Sequence, residues 1–337
     1  MNMETDNKNM PLTLSDSNTG SEARRLRSIK SARTLSILVL IGGVIAAIGG
    51  LALRAPGGYG LGAAPGAESD SGLQSFSSLF GQQVALDGQG LYRRDSVSSA
   101  AQERAQDLVT LIFAAPLLAA GFAFSGRSGY GGRLMLSGAL GYFAYCYGMM
   151  SVGSTYNEFF LLYVALFSMS LFGMALSMYS IDVDGLAKSC DGRYPRRSAI
   201  ALCIGLALFL GLAWVGRIVQ ALLSGEGTPM VIDAASTLFV QAFDLGILVP
   251  AALISAFWLL RKDKRGYMVA TVLMVKGAAE GLAVATMGFN MLRVGVNESV
   301  PMILVFLLLA LLALVIGTRA VMSAGFSKLT NSNKAGF

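Results

Sequence analysis

The chain has 337 residues, 54% of them hydrophobic and only 14% charged, with a net charge of +6 and no histidine. A soluble domain carries about 25% charged residues, so an ordinary soluble protein is excluded. The lack of histidine also excludes histidine metal sites, histidine haem ligation and Ser-His or Cys-His catalysis within the chain.

In chain order, residues 1–33 are polar, end in the basic cluster Arg24, Arg25, Arg27, Lys30 and Arg33, and read as a disordered tail. The first apolar run, 34–53, is too long for a signal-peptide core and reads as an uncleaved spanning helix. Residues 54–106 form the largest non-membrane segment. It opens Gly/Ala/Pro-rich, as a loop does. Within it, Leu73, Phe76, Leu79, Phe80 and Val84 recur at helical spacing and predict a short amphipathic helix on the membrane surface. Ser99 and Gln102 have capping-box spacing at the head of a helix that continues into the second span.

Further apolar runs, of about the 20 residues that cross a bilayer core, fall at 107–125, 134–152, 159–179, 198–223, 233–260, 267–290 and 301–321. Residues 322–337 are a second tail. The fold class is all-α, a polytopic transmembrane helical bundle with eight spanning helices in 34–321. Eight spans put both termini on one side. With that side cytoplasmic, every short inside loop is basic, from Arg127 and Arg133 through Arg193, Arg196 and Arg197 to Arg261, Lys262, Lys264 and Arg265. Outside lie only Arg54, Arg93, Arg94, Arg104 and Arg293. Basic residues placed this way orient a membrane protein and do not mark a nucleic-acid surface. The expected location is the inner membrane, with both termini cytoplasmic.

A 4+4 duplication is one reading of a few internal matches, and chance coincidence is the other. QDLVTLIFAAP in the second span and FDLGILVP in the sixth each carry Asp-Leu before a proline, and an offset of 133 aligns Gly148 with Gly281 and Asn157 with Asn290. Pro116 and Pro250 each remove a helix hydrogen bond and can kink the helix. Gly42, Ala46 and Gly50 on the first span, and Gly277, Gly281 and Ala285 on the seventh, form small-residue ridges for close packing.

Charges inside the spans are the main functional signal. Lys276 and Glu280 are four residues apart on one face of the seventh. A charge at the bilayer centre costs about 2.5–3.5 kcal/mol on insertion scales, so partners are expected. At about 1.5 Å per residue, Asp244 and Lys276 reach similar depths, which predicts an Asp244–Lys276 pair. Glu280–Arg217 is a second pairing, with Gln220 and Gln241 in the same half. The cluster Asp244, Lys276, Glu280, Arg217 and Gln241 is either an ion-pair network that fixes how spans five to seven meet, or an ion, proton or solute site. Tyr142 and Tyr145 lie deeper than an interfacial belt and are candidates for lining a cavity.

Other motifs are wanting. Cys146, Cys190 and Cys203 make no CxxC. Asp182, Asp184 and Asp191 lack calcium-loop spacing and read as a solvated loop. Neither a phosphate loop nor a serine elbow occurs. No cofactor is expected. The absence of histidine and of a nucleophile motif argues against a third reading, a membrane enzyme, and two functions stand ahead of it. One is a transporter-like or channel-like protein for a small ion or solute, using the intramembrane cluster. The other is a non-catalytic sensor or assembly partner acting through 54–106, with Tyr92, Arg93, Arg94 and Asp95 as its recognition surface. The expected partners are the lipid bilayer and that ion or solute.

The stretches GLYRRDSVSSAAQERAQDLVTL, GALGYFAYCYGMMSVGSTYNEFFLLYVALFSMSLF and DLGILVPAALISAFWLL resemble a group of prokaryotic polytopic membrane proteins with no assigned activity. The resemblance spans roughly residues 88–290. It implies a helical membrane fold and carries over no functional residues.

Overall fold

The computed structural model describes residues 14–52, 75–127, 129–190, 192–224 and 235–325, with side chains from residue 20. The fold is all-α. Its helices are α1 (Leu14–Ala52), α2 (Val97–Ser125), α3 (Gly131–Gly153), α4 (Phe160–Tyr179), α5 (Val183–Cys190), α6 (Arg196–Ser224), α7 (Phe239–Leu260), α8 (Lys264–Arg293) and α9 (Val300–Ser323). Seven of these, all but α3 and α5, are long and apolar enough to cross a membrane. Their outer faces are greasy: Ile37, Ile41 and Ile45 on α1 and Leu304, Leu308 and Leu311 on α9 are more than half or nearly half exposed.

The exception, α3, has the length of a span but not the apolarity. The reason is its position. Of its 23 residues, 17 are buried, tyrosines and glycines included. A helix walled by protein on all sides faces no lipid and need not be uniformly hydrophobic. Gly138 and Gly141 let α8 approach, since a Cβ on Gly138 would lie 2.4 Å from that of Val275.

Two helices carry the same irregularity. In α2 the Ala115 N–H donates to Thr110 O, and in α7 the Val249 N–H donates to Asp244 O. Each is a wide i→i−5 turn, a single-turn π-bulge of the kind that clusters at functional sites. A proline follows at once, Pro116 and Pro250, which has no N–H to donate to the carbonyl four residues before it. The two turns are 134 residues apart, as are the prolines. The correspondence extends to the next helices. A Cβ on Gly132 would press on Phe124 and Ser125, and one on Gly266, 134 residues later, on Trp258 and Leu259. The α2–α3 and α7–α8 hairpins therefore repeat one geometry, in a register one residue from the 133 read in sequence. Alanine at Gly132 or Gly266 is expected to destabilise by about 1–3 kcal/mol through overpacking. Gly205→Ala, where nothing lies within 4 Å, should not. Thermal unfolding of the three variants checks this.

Before α2, the expected amphipathic helix is a β-hairpin. β1 (Ser75–Ser77) pairs antiparallel with β2 (Gln83–Ala85), placing Phe76 opposite Val84. The turn contains Gly81 at φ 76°, a left-handed conformation that breaks a helix. Leu79 and Phe80 sit exposed at its tip, and Leu73 lies outside the described residues. The N-cap of α2 is Ser96, which accepts from Ser99 N at 3.0 Å, so the helix starts three residues before the expected cap. From there α2 runs on unbroken, as expected.

The basic segments converge at the opposite end. Arg25 pairs with Asp182 at 2.8 Å and Lys264 with Asp184 at 2.5 Å. Arg33 stacks on Phe122 at 4.5 Å, and Gly131 N donates to Gly325 O at 2.9 Å. Two sequence expectations change here. The basic cluster 24–33 belongs to α1, helical from Leu14, and the loop holding Asp182 and Asp184 folds into α5. Residues 1–13, Asp191 and 326–337 lie outside the described residues.

Candidate functional site

The π-turn of α7 places Asp244 inside the bundle, 6% exposed. Its two oxygens are held by neutral donors: the Tyr145 hydroxyl on α3 donates to Oδ1, and Trp214 Nε1–H on α6 donates to Oδ2 at 2.8 Å. The equivalent turn in α2 places Thr110 against the Tyr142 hydroxyl, 3.0 Å away. The two turns thus flank α3, each meeting one of its tyrosines.

Lys276 does not pair with Asp244. Its stem lies against Gly141, and Nζ sits 3.6 Å from the centroid of the Tyr145 ring. Its ionic partner is Glu280, one turn along α8, at 3.5 Å. Tyr145 gives its π-face to the Lys276 ammonium and its hydroxyl to the Asp244 carboxylate, and so stands between those two charges. Cys146 Sγ–H points at Glu280 Oε2 from 3.7 Å. The expected Glu280–Arg217 pairing is also absent: Arg217 is exposed and stands over the Trp214 ring at 5.9 Å. Gln241 is buried one helical turn from Asp244.

These side chains face a cavity of about 880 Å³. Tyr145, Trp214, Gln241, Asp244, Lys276 and Glu280 all line it. Ligand sites commonly span about 300–1,000 Å³ with mostly apolar walls and few polar groups. Towards the β-hairpin end the lining reaches Ser98, Glu103, Arg217, Gln220 and Glu298. Towards the basic end it stops at Leu202, Cys203, Leu273 and Met274. There α6, α7, α8 and α9 close on one another through Cys203, Ala256, Met274 and Ala320.

Helix packing is uneven around this volume. Along α1 it is tight: Gly42 meets Leu166, Gly43 meets Phe143, and Gly49 meets Phe159. Tyr147 and Tyr163 stack at 5.9 Å beside them. Along α6, by contrast, Gly205, Gly211 and Gly216 have nothing within 4 Å among the described residues. The α1 side is filled with aromatic rings, and the cavity lies beside α6.

The expected outer recognition residues are largely internal. Tyr92 is fully buried and donates to Asp107 at 2.7 Å, and burial beside that carboxylate pushes its phenol up. Asp95, 2% exposed, accepts from Thr155 N at 2.8 Å, and burial raises its carboxyl above the usual range. Glu103 holds the neighbouring Ser154 hydroxyl. Asp87 and Arg104 form a bidentate pair at 2.7 and 2.5 Å, both nearly inaccessible. Only Arg93 and Arg94 reach the surface. Arg93 lowers the Glu158 carboxyl through their ion pair, and Arg94 donates to Tyr156 O at 3.0 Å. This segment is clamped to the α3–α4 loop.

Among the described residues no cluster of three or more His, Cys, Asp or Glu side chains is arranged to hold a metal ion. No protein-family model matches the chain, and no curated protein or solved structure is similar to it. Any function must therefore be read from the site itself. Sequence reasoning missed Trp214 there. Its signal was a tryptophan well inside a span, away from the interfacial belts where that residue concentrates.

Proposed function

We propose that the chain is an eight-span membrane transport protein of the carrier type, which admits a small solute to the cavity between its halves. The observation that carries this reading is the cavity of about 880 Å³ reaching Asp244, Lys276 and Glu280. An ion-pair network that only fixed helix packing would be dry and filled. A carrier needs polar groups near mid-membrane, at the interface of its repeats, beside a locally broken helix. Asp244 stands at the π-turn of α7, where the helix is locally widened. In this reading α3 is the eighth span, the end with the convergent basic segments is cytoplasmic, and the cavity opens outward. The location is the inner membrane, with both termini inside. A recognition role for the outer segment loses its main support, because Tyr92 and Asp95 are buried.

The test is cysteine labelling in sealed vesicles. With Cys146, Cys190 and Cys203 replaced by alanine, Val284→Cys on the cavity wall should react with a charged thiol reagent added on the β-hairpin side, and far more slowly from the other side. Leu140→Cys, fully buried in the packed half, serves as the silent control. A silent Val284→Cys on both sides would mean a sealed interior and end the transport reading.

A further inference from the structure

Resting on that transport reading, we infer that the solute is a hydrophobic monovalent cation whose charge is met by Asp244. The protein as a whole carries a net charge of +6. Its cavity runs against that balance: among the described residues four carboxylates line it, Glu103, Asp244, Glu280 and Glu298, against two cations, Arg217 and Lys276. The excess is sharpest at depth. Lys276 and Glu280 neutralise each other along one helix face. Asp244 receives hydrogen bonds from a phenol and an indole and, among the described residues, has no ionic partner within 4 Å. Neutral donors orient a carboxylate without cancelling its charge. A buried carboxylate without a counter-ion is a costly arrangement in a low-dielectric interior. A cation arriving in the cavity supplies what is missing.

The walls specify the rest of the ligand. Phe209, Phe239, Phe306 and Trp214 present aromatic surface, which attracts a cation through its π-faces and buries its apolar substituents. Met149, Met287 and Met302 add flexible thioether surface that adapts to irregular shapes. A small hydrated metal ion needs a shell of oxygen ligands, whereas the groups nearest Asp244 are a phenol and an indole that donate to it, and the wall beyond them is mostly apolar. The chemistry that fits is a bulky organic cation with its charge spread over, or shielded by, apolar groups.

Two ions of the same shape and opposite charge test this: tetraphenylphosphonium and tetraphenylborate. The full-length Trp258→Phe protein keeps Trp214 as its single tryptophan, on the cavity wall and in contact with Asp244. Tetraphenylphosphonium should change Trp214 emission saturably and bind at least tenfold more tightly than tetraphenylborate. Asp244→Asn should remove that preference, and the difference between the two proteins cancels partition of the ions into lipid. Should Asp244→Asn not fold, the ratio for the two ions on the parent protein decides. Equal or tighter binding of tetraphenylborate overturns the charge assignment, while labelled Val284→Cys leaves the transport reading standing. No response to either ion overturns the inference too, and with a silent Val284→Cys the transport reading falls as well.

Discussion

Arg104→Met is expected to destabilise the protein by about 3–5 kcal/mol, the range for breaking a buried ion pair by removing one partner. Arg104 and Asp87 are 4% and 2% exposed at the side chain and share two hydrogen bonds. Arg104 also reaches Gln89 O at 3.3 Å and lies 5.9 Å over the Tyr92 ring. One side chain thus ties the first turns of α2 to the segment that follows β2. Removing it strands the Asp87 carboxylate among buried groups. The double variant Asp87→Leu, Arg104→Met leaves no charge behind and should recover most of the loss, because an ion pair and a packed apolar pair are often close in energy. Thermal or denaturant unfolding in detergent reads both. If the single variant melts like the parent, the clamp is not what holds this segment on the helices.

How far the sequence carries depends on which forces decide each feature. The long helices were legible because lipid imposes one demand on every outward face, and the runs 159–179, 198–223, 233–260, 267–290 and 301–321 match α4 and α6 to α9 to within a few residues, apart from the start of α7. The hairpin was not. Phe76, Phe80 and Val84 are spaced as on a helix, but Gly81 turns the chain and pairs Phe76 with Val84 across two strands. The repeat was half legible. Asp-Leu pairs suggested it, whereas the two π-turns start at Thr110 and Asp244 and run into Pro116 and Pro250, a register in which the Asp-Leu pairs do not coincide. The charge cluster was found residue by residue, and its wiring was not. Depth along two helices can say that Asp244 and Lys276 lie level. It cannot say that a third helix, held close by Gly138 and Gly141, inserts Tyr145 between them.

That wiring makes a second large effect measurable. Lys276→Met should destabilise by about 3–5 kcal/mol, since it leaves the buried Glu280 carboxylate without its cation. Two double-mutant cycles then separate the geometries. Lys276→Met with Glu280→Gln should show a coupling of about 1–3 kcal/mol, within the range for groups in direct contact, because the two touch at 3.5 Å. Lys276→Met with Asp244→Asn should show much less, because Tyr145 separates them. Adding Tyr145→Phe to Asp244→Asn completes the logic. The ring that carries Lys276 remains, only the hydroxyl bond to Asp244 is lost, and the coupling should appear between these two instead. A coupling of Lys276 to Asp244 as large as that to Glu280 would mean that the two charges meet directly. Asp244 would then have a counter-ion of its own, and the carboxylate left to meet an incoming cation would be Glu280 instead.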